Sequence, residues 1–265
     1  MNSIQLAKKI RATAIKMVYE AKASHIGGAL SMTDILAVLY NDILNINPED
    51  PQNTDRDRFI LSKGHACTGL YAVLGIKGFF SIESLDSYGK DGTIFLSHTT
   101  HHVPGIEISA GSLGHGLPIA CGLALAAKRQ KKVWKTYCLV GDGEMDEGSN
   151  WEAILFAAHH DLNNLCLIID YNKIQSLGNT NEILNLEPLA EKFKVFNWNV
   201  IEINGHDHQE IKNAFNFFKS KSKAPSVVIA NTIKGKGISF MENNLLWHYK
   251  SPSTEQYYKA MEELL

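Results

Sequence analysis

Apolar and polar positions along this chain follow two rhythms in turn. Near the start, Leu6, Ile10, Ala14, Met17, Val18 and Ala21 recur at three- and four-residue intervals, which predicts an amphipathic helix. A second helix is predicted from Ser31 through ILAVLYNDIL, with Ser31 and Asp34 spaced as a capping box. Short, nearly continuous apolar runs then appear: FIL within DRFILSKGHA (57–66), TYCLV (136–140), LCLIID (165–170), NVIEIN (199–204) and PSVVIAN (225–231). Runs of this length bounded by turn formers predict buried strands. Helical patterns lie between them: LPIACGLALAAKR after GSLGHG (111–116), Trp151 to His159, and HQEIKNAFNFFKS. Such alternation predicts an α/β fold in three layers, a mostly parallel sheet with helices on both faces. No repeat or linker breaks the pattern, so residues 1–265 are expected to form one domain. Right-handed crossovers bring the loops after the strands to one edge, where such sheets bind ligands.

Composition narrows the function without naming it. The 265 residues are 45% hydrophobic and 20% charged, with a net charge of −2, so no basic face points to nucleic acid. The basic run KRQKK (128–132) suits the C-terminal dipole of the preceding helix. Cys67, Cys121, Cys138 and Cys166 form no CxxC pair, and the last three sit in apolar runs as reduced core residues. Charges interrupt the first helix, unlike a secretory h-region, and no apolar stretch is long enough to span a membrane. A cytoplasmic protein is expected.

The chemistry concentrates in GDGEMDEGSNWEA (141–153), directly after TYCLV. A glycine turn after a strand usually cradles phosphate through backbone N–H groups, yet this one carries Asp142, Glu144, Asp146 and Glu147. A dinucleotide fingerprint would place its third glycine two positions before Gly148, and an EF-hand would need glycine where Glu147 stands. Acids at a helix N-terminus could simply suit the dipole. Asn172, however, follows LCLIID as Asp142 follows TYCLV. Adjacent strands would bring that carboxylate, that amide and a backbone carbonyl such as that of Ile174 to one edge. Hard oxygen donors of this kind suit Mg²⁺, which completes its shell with phosphates and water. A cation would let an acidic loop hold a diphosphate.

At this point the chain resembles the N-terminal, diphosphate-binding portion of transketolases. The resemblance rests on ASHIGGALSMTDIL (23–36), DRFILSKGHA, PGIEISAGSLGHG (104–116), the GDG turn followed by IIDYNKIQ, NTIKGKGISFMEN (231–243) and Trp247-His248. It implies thiamine diphosphate with Mg²⁺, or Ca²⁺ or Mn²⁺ as substitutes, held by Asp142, Asn172 and the Ile174 carbonyl. It places Gly141 and Gly143 at the diphosphate and Gly111 and Leu113 at the cofactor, with Leu113 packing on its rings. His65 and His248 match histidines at the diphosphate and substrate channel, and His25 one that faces the donor sugar. His98 is the best counterpart of a further channel histidine, with His101 and His102 as alternatives. Glu147, counted with the cofactor-binding residues, matches an acid that communicates across a subunit interface. The chain departs from the family pattern in SHIGG, HTTHHVPG and GSLGHG, where the family has GHPG and GPLGQG for the first and last.

The resemblance also implies an incomplete active site. The family's pyrimidine-binding domain, with the Glu that activates the aminopyrimidine ring, has no counterpart in these 265 residues. The expectation is a split enzyme, an α2β2 heterotetramer in which this chain pairs with a C-terminal transketolase subunit. The reaction expected is transfer of a two-carbon ketol unit from a ketose (phosphate) to an aldose. Two alternatives keep the cofactor: a subunit of a 2-oxoacid dehydrogenase or decarboxylase, and a non-catalytic cofactor-binding subunit.

Overall fold

The protein was analysed as a computed structural model that describes residues 1–220 and 223–264. Helix α1 (Ser3–Glu20) opens on a true capping box, in which Asn2 and Gln5 bond each other's backbone N–H groups. Helices α2 (Ile26–Ser31) and α3 (Thr33–Val38) follow, the latter running into a π turn over Leu39–Ile43. Then come β1 (Arg58–Leu61), α4 (Cys67–Ile76), α5 (Gly116–Arg129), β2 (Thr136–Gly141) and α6 (Gly148–His159). The remainder comprises β3 (Leu165–Tyr171), α7 (Thr180–Ile183), α8 (Leu189–Val195), β4 (Asn199–Asn204), α9 (His208–Lys219), β5 (Ser226–Asn231) and α10 (Thr254–Leu264).

The five strands form one sheet in the order β1-β2-β3-β5-β4, every neighbouring pair parallel. Side-chain alternation divides the core in two. Tyr137, Leu139, Cys166, Ile168, Val228 and Ala230 pack with α1, α3, α4 and α9. Cys138, Val140, Leu167, Ile169, Val227 and Ile229 pack with α5, α6 and α8 on the other face. Strands buried on both faces need apolar residues at successive positions, which is why they read as continuous runs. The connections β2–β3 and β3–β4 carry α6 and α8 on one face. The chain then turns back from β4 to β5 through α9 on the other, as right-handed crossovers require when direction reverses.

The fold class matches the sequence reading, and the five predicted strands are present. One local reading is corrected. Ser31 and Asp34 do not cap a helix, because Ser31 ends α2 and Asp34 lies within α3. Ser31 Oγ donates to Asp170 Oδ2 at 2.5 Å, and Asp34 receives Arg11. Tertiary partners have taken both side chains that local spacing offered to a cap. All four cysteines are buried and unpaired. Among the described residues no helix is long and apolar enough to cross a membrane.

Candidate cofactor and substrate site

The carboxyl ends of β1, β2, β3 and β5 deliver Lys63, Asp142, Asn172 and Lys234 to one cleft of about 300 Å³. His65, Leu113, Gly141, Gly143, Glu147, Ile174 and His248 also line it. A wider cleft of about 800 Å³ lies between Tyr19–Lys22 and residues 250–256, but it gathers none of these groups.

The acidic turn is held from beneath. Glu144 is buried, and its carboxylate accepts from Ser62 Oγ, from Gly114 N–H at 3.0 Å and from Gly141 N–H at 3.3 Å. It therefore ties the GDG turn to the ends of β1 and of the SLGHG loop. Ser62 Oγ in turn accepts the Gly116 N–H at the start of α5, at 3.1 Å. Asp142 is buried too, with Oδ1 accepting Gly143 N–H at 2.7 Å and Oδ2 accepting Lys173 N–H at 2.5 Å. Through Lys173 it is brought against the Asn172–Ile174 turn. Gly143 has no room for a side chain, since a Cβ there would lie 2.6 Å from that of Gln175.

The electrostatics leave this turn short of positive charge. Burial, reinforced by the nearby Asp170 carboxylate, pushes the Asp142 carboxyl up to about 6. The two ammonium groups nearby bond partners other than Asp142. Lys63 pairs with Asp170 and donates to the Gly28 carbonyl at 2.8 Å. Lys234, lowered by burial to about 8, donates to the Ile174 carbonyl at 2.7 Å and lies 2.9 Å from His248 Nδ1. The three oxygens expected from the sequence thus sit on one pair of turns, with Asn172 Oδ1 accepting the Ile174 N–H at 3.2 Å. The Ile174 carbonyl retains a second lone pair. One carboxylate, one amide and one carbonyl form a hard-oxygen set that fits a small divalent cation. Among the described residues no group of three His, Cys, Asp or Glu side chains is arranged for a metal.

The four histidines expected in the channel converge from four segments. The His25 ring centroid lies 5.1 Å from that of His65, 5.5 Å from His248 and 6.2 Å from His98. His65 lies 5.7 Å from His248 and 6.5 Å from His98. His25 adopts a left-handed backbone, with φ of 68°, and its N–H donates to the His248 carbonyl at 3.1 Å. His98 rather than its neighbours joins the group: His101 Nδ1 lies 2.9 Å from Ser109 Oγ, and its ring lies tilted against that of His102, centroids 4.1 Å apart. Burial lowers all three of His25, His65 and His248, His25 to about 4 and His248 to about 3. Neutral imidazoles each present one donor and one acceptor, which suits sugar hydroxyls. Gly111 adjoins His98, with its position for a Cβ 3.9 Å from the His98 ring. Exposed Glu147 precedes α6 and packs against Gly114.

Four polar residues of this site carried no assignment from the sequence: Lys63, Glu144, Asp170 and Lys234. Asp170 had a legible signal, as an acid closing an apolar run that lies in a buried strand.

These features define an α/β domain with a polar, histidine-flanked cleft at the carboxyl edge of its sheet, and comparison with known proteins gives its class. The family model described as transketolase, thiamine diphosphate binding domain, matches residues 3–255. The chain belongs to the transketolase family, as its thiamine diphosphate-binding portion. It is 44% identical over 258 residues to one subunit of the apulose-4-phosphate transketolase of Phocaeicola vulgatus, covering 97% of this chain and 92% of that one. It is 41% identical to the 6-deoxy-6-sulfo-D-fructose transketolase subunit SqwG of a Clostridium species, covering 97% and 94%. The crystal structure of Campylobacter jejuni transketolase superposes with a TM-score of 0.94 at 34% identity, over 100% of this chain but 43% of that one. The chain thus corresponds nearly end to end to single subunits of divided transketolases, and to less than half of a full-length enzyme.

Proposed function

We propose that the chain is the diphosphate-binding subunit of a two-subunit transketolase, transferring a two-carbon ketol unit from a ketose to an aldose in the cytoplasm. The observation that carries the reading is the convergence of His25, His65, His98 and His248 beside the cleft formed by Asp142, Asn172 and Ile174. Thiamine diphosphate supplies the electron sink for cleaving and forming the carbon–carbon bond. Asp142, Asn172 and the Ile174 carbonyl would hold Mg²⁺, which neutralises the diphosphate. Gly143, whose N–H holds Asp142 Oδ1, leaves room beside that charge because it carries no side chain, while Gly111, Gly141 and Leu113 border the cofactor. The histidines orient the sugar hydroxyls and accept or return protons at them. Glu147, at the exposed entrance to α6, reaches toward a neighbouring subunit.

The residues form a single cofactor-binding domain, and a C-terminal subunit supplies the pyrimidine-binding domain in an α2β2 assembly. Two relatives are named for apulose 4-phosphate and 6-deoxy-6-sulfo-D-fructose, so sugars bearing an anionic group head the substrate search. The test mixes this chain with its C-terminal subunit, thiamine diphosphate and Mg²⁺, then offers ketose donors with phosphorylated and free aldoses. Ketol transfer is expected from the mixture alone, at a mass matching two copies of each chain. Transfer by the isolated chain would overturn the split design. Turnover of 2-oxo acids without ketol transfer would overturn the transferase reading.

A further inference from the structure

Against the loop that follows β5 lies a buried polar cluster, none of it lining the cleft, that the reaction itself does not use. Arg11 of α1 makes a bidentate contact with Asp34 of α3, at 3.0 Å and 2.6 Å. His206, in the turn after β4, places Nδ1 2.7 Å from Asp34 Oδ2, and its Nε2 receives the Ile233 N–H at 2.8 Å. His208 Nε2 lies 3.1 Å from Asp34 Oδ1, and its Nδ1 lies 2.9 Å from Ser3 Oγ. Arg11 Nε also donates to the Lys236 carbonyl at 3.0 Å. The side chains of Arg11, Asp34 and His206 are only 9%, 7% and 12% exposed.

The donor pattern fixes the tautomer. A backbone N–H can only donate, so Nε2 of His206 must offer its lone pair to Ile233, and the ring proton sits on Nδ1 facing Asp34. Against burial, which raises it, the contacts with His206, His208 and Arg11 hold the Asp34 carboxyl well below the usual carboxylate range. Asp34 thus accepts from the ring and orients it, in the way a carboxylate orients a histidine that acts on a third group. The third group here is the amide of Ile233, and the next residue is Lys234. From this loop the Lys234 ammonium spans the Ile174 carbonyl and the His248 ring, and Asn243 N–H donates to the Lys234 carbonyl at 2.9 Å.

We propose that His206 is a positioning residue which, oriented by Asp34 and acting through the Ile233 amide, sets Lys234 between the Ile174 carbonyl and His248. This inference rests on the ketol-transfer reading for its effect on turnover, but its first link, the hydrogen bond to Ile233, does not.

The test uses the full chain with its C-terminal subunit, and His206→Leu, His206→Gln, Lys234→Met and the double variant His206→Leu/Lys234→Met. Glutamine retains one acceptor and one donor, whereas leucine removes both. His206→Leu is expected to lower kcat/KM for the ketose about 10- to 100-fold, the usual cost of losing an outer-shell partner, and His206→Gln to restore most of it. Because His206 acts through Lys234, adding His206→Leu to Lys234→Met should cost little more, whereas losses that simply multiply would overturn the proposal. Amide exchange on the chain, followed by mass spectrometry or NMR, gives the readout that needs no activity. Slow exchange at Ile233 should become fast in His206→Leu and stay slow in His206→Gln. Fast exchange in the unaltered protein, or no change in His206→Leu, overturns the inference. Should the unaltered pair of chains show no ketol transfer, the functional reading falls, and the exchange result alone decides the role of His206.

Discussion

Lys63, just past the end of β1, forms an ion pair with Asp170, near the end of β3, so the contact crosses under β2. The two side chains are 4% and 0% exposed. Ser31, Thr232 and Asn172 also donate to the Asp170 carboxylate, drawing α2 and the loop after β5 onto the same point. A buried carboxylate with so many donors is tolerable only while its cation remains. Lys63→Met keeps the length of the stem and removes the charge. It is expected to destabilise the chain by about 3–5 kcal/mol, the usual cost of breaking a buried pair from one side. Denaturant unfolding with and without the substitution checks this, and a loss under about 1 kcal/mol would show that the hydroxyl and amide donors suffice.

The histidine cluster predicts unusual titration. Burial, with His98 and Lys234 nearby, lowers His25 to about 4, and burial with Lys234 lowers His248 to about 3. Both values lie below the ordinary histidine value of 6.5, so between them and 6.5 the folded chain binds fewer protons than the unfolded one. Their contribution to stability is therefore fully present above pH 6.5 and is lost as pH falls through that value toward the folded ones. Histidine ring signals followed by NMR should show the His25 and His248 rings keeping neutral shifts below pH 5, with His65 also titrating well below 6.5. Midpoints near 6.5 for His25 and His248 would mean that the cluster is open to water.

Gly64 tests how tightly the histidine loops are packed. A Cβ at this position would lie 2.1 Å from the Ala110 carbonyl oxygen, a backbone atom that cannot swing aside. The Gly64 carbonyl also accepts the Thr99 N–H at 3.1 Å, so β1's exit and the His98 loop share this contact. Gly64→Ala should therefore cost about 1–3 kcal/mol through overpacking. It should also displace His65 relative to His98, lowering ketose kcat/KM in the reconstituted enzyme. A variant as stable and active as the parent would mean that the Ala110 segment yields freely.

The sequence made the sheet legible because strands buried on both faces must be apolar throughout, and the fold leaves them little freedom. Asp142 and Asn172 were legible for a related reason: each follows a strand directly, and parallel neighbours deliver both to one edge. Lys63 and Lys234 were not, because a lysine beside a strand reads as solvated until a buried acid or carbonyl is seen opposite it. Ser31 and Asp34 show the reverse error. Their spacing satisfies a local capping rule, but Asp170 and His206, 139 and 172 residues away along the chain, claim them instead. Long-range pairs of this kind leave no trace in short-range spacing.

Asp142 carries the last prediction, since it is the only carboxylate in the proposed oxygen set. Its two oxygens already accept the Gly143 and Lys173 N–H groups, so it is oriented before any cation arrives. Asp142→Asn keeps one of these acceptors and much of the shape but removes the charge that balances a divalent ion. Mg²⁺-dependent affinity for thiamine diphosphate, measured by calorimetry on the chain with its partner subunit, should fall by at least about 100-fold, the upper end of the range for mere outer-shell losses. Asp142→Ala should abolish the Mg²⁺ dependence altogether. Glu147→Gln, in the same acidic turn but at an exposed position, should leave that dependence intact, because Glu147 is not a member of the proposed oxygen set. Equal losses in Asp142→Asn and Glu147→Gln would mean that the turn acts through its total charge, and unchanged affinity in Asp142→Ala would remove the metal assignment.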